Sequence, residues 1–153
     1  MLEVQDQPPS YTSTRGENEM SCEPAPTIES FYQFCAQKKL MGIRCKRCGE
    51  VSSPPRPRCS KCNSAEMEWT QLKGTGTLLT YSVIQVAPAA FQALVPYTVG
   101  IVELAEGPRL PAMIRVPEKE LKIGLALKVA FDEPCPGNWP SWTRYHFVKA
   151  DVL

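Results

Sequence analysis

"RCKRCGEVSSPPRPRCSKC", residues 44–62, packs four cysteines, three prolines and six basic side chains into one short stretch. The cysteines form two Cys-x-x-Cys pairs, Cys45/Cys48 and Cys59/Cys62, with ten residues between the pairs. Each pair makes a tight knuckle whose backbone amides point at the sulfurs, and two knuckles close around one metal ion. Four thiolates at about 2.3 Å suit tetrahedral zinc. A redox dithiol comes as a single motif at a helix N-terminus. A rubredoxin-like iron centre is the rival on ligand chemistry. Cys45, Cys48, Cys59 and Cys62 are therefore the expected metal ligands, with zinc the expected ion. Such an ion has no open coordination position, so it is structural. It is a pin, because roughly forty residues of knuckle and loop bury too little to fold alone.

The other cysteines, Cys22, Cys35 and Cys135, have no motif and read as buried or incidental thiols. Seven cysteines, four of them in knuckles, do not make a disulfide framework. The formal net charge of +1 hides an asymmetry. Residues 38–62 carry eight basic side chains against Glu50 alone, and residues 1–37 carry six acids against Arg15. The remainder has eight bases and nine acids. The N-terminus is polar and acidic, without an apolar signal core. No stretch approaches the roughly eighteen apolar residues of a membrane span. The expected protein is soluble and cytoplasmic.

Outward from the knuckles, residues 1–26 are polar, acidic and aperiodic, and are expected to be a disordered acidic tail. Its acids are expected to shield the basic ribbon, so that deletion strengthens anion binding. Residues 27–41 read as an N-terminal helix, with Thr27 as N-cap and Ile28, Phe31, Phe34 and Cys35 as the apolar stripe. Residues 42–67 are the zinc ribbon. From residue 68 to 153 the chain turns to strands. "EWTQLKGTGTLLTYSVIQVA" reads as one long strand coiled at Gly74 and Gly76. "YTVGIVELAEG" and "RLPAMIRV" flank a Gly107–Pro108 turn. "LALKVAFDEP" alternates with period two, and "TRYHFVKADV" supplies a fifth strand. About five short antiparallel strands in this length fit a small closed barrel such as the OB-fold. The fold class is mainly β.

The order of helix, Cys45-x-x-Cys48-Gly49, Pro54-Pro55-Arg56, Cys59-x-x-Cys62, Trp69, Gly74-x-Gly76, Pro96-Tyr97 and Glu103-Leu104 now carries a resemblance. Over residues 27–150 the chain resembles the zinc-ribbon/OB-fold acyl-CoA-associated proteins, long a domain of unknown function found beside thiolases. The resemblance implies a rubredoxin-like zinc ribbon joined to a five-stranded OB-fold barrel. It also implies a non-catalytic accessory role beside a thiolase-type or related acyl-CoA enzyme of lipid metabolism. The stretch "CPGNWPSWTRYHF" departs from the family pattern.

Coenzyme A carries a 3′-phosphate and a diphosphate, which clustered arginines bind bidentately. Arg44, Arg47, Arg56 and Arg58 are the candidates, though the same charges also solvate a ribbon surface and offset its metal centre. The apolar, proline-bounded "APAAFQALVPY", residues 87–97, offers Phe91, Leu94 and Tyr97 to an acyl or pantetheine arm or to a partner. The plainer reading is a loop that caps one barrel end. His146, the single histidine, reads as a packed strand residue with no nucleophile or acid at catalytic spacing. Trp139 and Trp142 read as core lids or partner anchors. The isolated chain is expected to be inactive. A nucleic-acid binder is the alternative, since OB-folds and zinc ribbons both serve that role. A near-neutral barrel with its basic charge displaced to the ribbon disfavours it.

Overall fold

The computed structural model describes residues 24–133 and 143–150. Helix α1 runs Ile28–Ala36. Thr27 caps it as expected, its Oγ1 accepting from the Ser30 amide at 3.2 Å, and Glu29 lies in the first turn, where the helix dipole favours an acid. The stripe buries Phe31 and Cys35 completely and leaves Ile28 exposed.

Three short strands follow: β1 Met41–Cys45, β2 Val51–Ser52 and β3 Met67–Gln71. They form an antiparallel sheet in the order β2-β1-β3. The barrel comprises β4 Thr75–Ile84, β5 Tyr97–Leu104, β6 Arg109–Ile114, β7 Ala126–Phe131 and β8 Tyr145–Lys149. It closes in the order β4-β5-β6-β8-β7, with β7 pairing back onto β4. Closure leaves no open sheet edge. The protein is mainly β, with one N-terminal helix, a four-cysteine ribbon and a closed five-stranded barrel. Among the described residues no helix is long and apolar enough to cross a membrane.

Two strand expectations are corrected. The stretch expected as one long strand is two: β3 pairs residue for residue with β1, and β4 begins only after a crossing at 72–74. Gly74 makes the crossing with φ +72°, and a Cβ there would lie 2.3 Å from Val129 Cγ1. A left-handed backbone with no room for a side chain requires glycine. The barrel is also not wholly antiparallel. Strands β6 and β8 run parallel, with Met113 opposite His146 and Ile114 opposite Phe147.

One apolar core spans both parts. Phe31 and Cys35 of α1, with Leu40 and Leu72, join Leu78, Val102, Leu110, Leu127 and Phe147 of the barrel. The helix is thus a lid on the barrel as much as a prelude to the ribbon. The expected acidic tail lies outside the described residues up to residue 23. At Pro24 the chain is held, its carbonyl accepting from Trp69 Nε1 on β3. Cys22, Cys135, Trp139 and Trp142 also lie outside the described residues.

Candidate functional site

The two knuckles bring their sulfurs together. Cys45 closes β1, and Cys48 follows in a turn whose Gly49, at φ +74°, donates its amide to the Cys45 carbonyl at 2.9 Å. The second knuckle repeats the device: Asn63, at φ 56°, donates to the Cys59 carbonyl at 3.0 Å. The sulfurs of Cys45 and Cys62 are 3.5 Å apart, as are those of Cys48 and Cys59. All four lie within 4.8 Å of one another. A tetrahedron with metal–sulfur bonds of about 2.3 Å has sulfur–sulfur edges of about 3.8 Å. The four cysteines fit such an ion.

Their electrostatics fit it too. The backbone N–H of Cys48, then that of Arg47, lowers the Cys45 thiol below its ordinary range. The amides of Cys62 and Lys61 bring Cys59 down to about 7 against the effect of burial. At Cys48 the Glu50 amide also favours thiolate, yet burial and the three neighbouring sulfurs push it up to about 12. Four thiols this close do not all ionise without a cation among them. Cys35 is a different thiol, fully buried in α1 and raised to about 12 by burial alone.

The candidate ligand residues do not form one cavity. Arg44, Arg47, Arg56 and Arg58 are all exposed on the ribbon. Arg58 donates to the Asn63 carbonyl at 3.2 Å, steadying the second knuckle. Arg56 lines a polar cleft of about 360 Å³ between the ribbon loop and the β5–β6 turn, with Ser52, Ser60 and Arg109. Phe91 and Tyr97 come together elsewhere, their ring centroids 6.4 Å apart. Phe91 belongs to a 3-10 turn, Ala89–Leu94, and both rings line a cleft of about 370 Å³ with Tyr32 and Tyr145. Leu94 is half exposed on a neighbouring groove.

One polar cluster was not legible in the sequence. Arg115 forms a bidentate pair with Asp132, at 2.7 and 3.1 Å, and also approaches His146 Nε2 at 3.4 Å. Arginine only donates, so Nε2 accepts and the proton sits on Nδ1, 3.4 Å from Asp132 Oδ1. His146 is buried in β8, as expected of a packed strand residue. No spacing announces its partners. They meet because β7 and β8 pair with Ala130 opposite His146, while Arg115 follows β6 across the parallel seam.

Burial first, then Arg115, lowers the His146 pKa, with Asp132 opposing. Protonation is thus harder in the folded chain than in the unfolded one. The stabilising effect is full above the unfolded value of about 6.5 and is lost as pH falls through the folded one. Thermal melts are expected to decline below about pH 6.5 more steeply for the wild type than for His146→Gln. Parallel melting curves of the two proteins down to about pH 5 would remove His146 from this account.

The model described as ChsH2, rubredoxin-like zinc ribbon domain, matches residues 33–68. The model described as ChsH2, C-terminal OB-fold domain, matches residues 69–132. A DUF35 domain-containing scaffold protein of Methanocaldococcus jannaschii is 40% identical over 94 residues, which is 60% of this chain and 67% of that protein. This chain belongs to the DUF35 scaffold protein family. Another relative of the DUF35 chain is the benzoylsuccinyl-CoA thiolase subunit BbsA of Thauera aromatica. It is 32% identical over 75 residues, 49% of this chain and 51% of that protein. Among solved structures, an Ltp2-ChsH2(DUF35) aldolase matches with a TM-score of 0.68 at 28% identity. The match covers 83% of the DUF35 chain and 98% of the other.

Proposed function

We propose that this DUF35 chain is a non-catalytic accessory subunit that binds acyl-CoA, or helps a thiolase-type acyl-CoA enzyme assemble and hold its substrate. The observation that carries the reading is similarity to proteins named for enzymes of this kind, a benzoylsuccinyl-CoA thiolase subunit and, over 83% of the chain, an Ltp2-ChsH2(DUF35) aldolase. In this reading one zinc ion sits among Cys45, Cys48, Cys59 and Cys62 and is structural, because four thiolates leave no position for a reacting water. Arg44, Arg47, Arg56 and Arg58 meet the phosphates of coenzyme A. Phe91 and Tyr97 meet the acyl or pantetheine arm, or the partner. The separation of the arginines from the aromatic cleft supports two distinct roles.

The two roles predict different mutants. The isolated chain is expected to turn over no acyl-CoA and to co-purify from native cells with a thiolase-family or related enzyme. Phe91→Asp is expected to weaken that complex about thirtyfold, the scale of a lost hot spot, with little effect of salt. Arg47→Glu with Arg58→Glu is expected to lower the CoA-dependent activity of the complex. The loss is largest at low ionic strength, where screening extends over about 30 Å at 0.01 M. Sub-micromolar oligonucleotide binding that falls steeply with salt, with no acyl-CoA enzyme in the pull-down, would sink the proposal.

A further inference from the structure

The cleft that holds Phe91 and Tyr97 has a polar end, and strand register builds it. Val99 on β5 lies opposite Met113 on β6, and Met113 lies opposite His146 on β8. The three therefore share the barrel's outer face, while their neighbours Ile114 and Phe147 turn into the core. Tyr32, Phe91, Tyr97 and Tyr145 wall this face into a cleft of about 370 Å³, toward the small end of ligand pockets. Asp132, Arg144 and His146 line the same cleft.

The three polar groups are not equally occupied. Asp132 gives both carboxylate oxygens to Arg115, at 2.7 and 3.1 Å, so its charge is matched. His146 is buried, with Nε2 accepting from Arg115 at 3.4 Å. Its Nδ1 lies 3.4 Å from Asp132 Oδ1 yet makes no hydrogen bond among the described residues. A buried donor left in that state is uncommon in a folded chain. Arg144 is exposed, and its guanidinium makes no ion pair among the described residues. Its charge reaches the aromatic wall: burial and then Cys35 raise the Tyr32 pKa, and Arg144 opposes them. One aromatic-walled cleft thus carries a single unmatched positive charge and a donor without an acceptor.

We infer that this cleft binds a small apolar monocarboxylate, its aryl or alkyl body among the four aromatic rings and its carboxylate on Arg144. The guanidinium fork matches a planar carboxylate. One unmatched cation offsets a monoanion, whereas a phosphomonoester, with a charge near −2, leaves an excess beside Asp132. The inference rests on the assignment of Phe91 and Tyr97 to ligand contact and adds the acidic end of the ligand.

The test uses the full zinc-loaded chain, with 3-phenylpropionate as the probe and 3-phenylpropionamide as its neutral counterpart, both followed by calorimetric titration. The acid is expected to bind about fivefold tighter than the amide, the upper end for an ion pair at an exposed arginine. Arg144→Gln is expected to remove that preference and to leave amide binding unchanged. Phe91→Ala is expected to weaken acid and amide alike, by at least about threefold. Unchanged zinc content and melting temperature show that each variant is folded. Equal affinity of the wild type for acid and amide overturns the inference, as does a preference that survives Arg144→Gln. Binding that is indifferent to Phe91→Ala also overturns it, by placing the probe elsewhere. The chain is titrated alone, so failure of the partner complex and failure of this inference are read separately.

Discussion

Cys59→Ser is expected to abolish tight zinc binding and unfold the ribbon. Zinc binding of about 10–16 kcal/mol in small tetrathiolate-type units is mostly folding energy. That is comparable with the whole stability of a typical domain, about 5–15 kcal/mol. The knuckle has little else to hold it: β2 is two residues long, and the apolar core lies at the α1–barrel junction. Loss of the ribbon also loosens the barrel's lid, because Leu40 and Leu72, at either end of the ribbon, belong to the shared core. The wild type is expected to contain one tightly bound zinc per chain, and the variant none. Chelation of the wild type is expected to reproduce the variant's far-UV spectrum. A variant that keeps a folded ribbon with no metal, or a wild type coloured by iron, would contradict the assignment. Lys61→Ala, beside the same sulfur, is expected to keep its zinc.

Phe147→Ala is expected to cost about 3–5 kcal/mol, the usual range for removing a fully buried phenylalanine. Phe147 is completely buried and sits where the barrel closes, opposite Ile114 across the parallel seam and Val129 across the antiparallel one. Its carbonyl also accepts the Arg115 amide at 2.8 Å. The cavity therefore opens at a junction between strands that are not consecutive in the chain. At about 4–8 °C per kcal/mol for a unit of this size, the melting temperature is expected to fall by about 12 °C or more. Melting within about 5 °C of the wild type would show that the seam is held elsewhere. Zinc content is expected to stay unchanged, which separates this lesion from that of Cys59→Ser.

The sequence by itself determined whatever is local. Cys45, Cys48, Cys59 and Cys62 were legible as one site because knuckle geometry depends on a spacing of three residues and a glycine or asparagine that tolerates positive φ. The Thr27 cap was legible for the same reason. Strands β5, β6 and β7 were legible because one buried face imposes period two. What only the tertiary structure decided is which elements meet. A β-rich run looks the same whether it serves one sheet or two, so the division at 72–74 depended on β1 and β7 as distant partners. Direction across the barrel's last seam is likewise set by closure rather than by any residue in β6 or β8. Arg56 of the ribbon and the pair Phe91–Tyr97 read as neighbours in function, yet the fold sets them on different clefts. Arg115, Asp132 and His146 carried no motif at all. Three strand ends made them a cluster, since hydrogen-bonding side chains far apart in the chain are united only by the register of the strands that carry them.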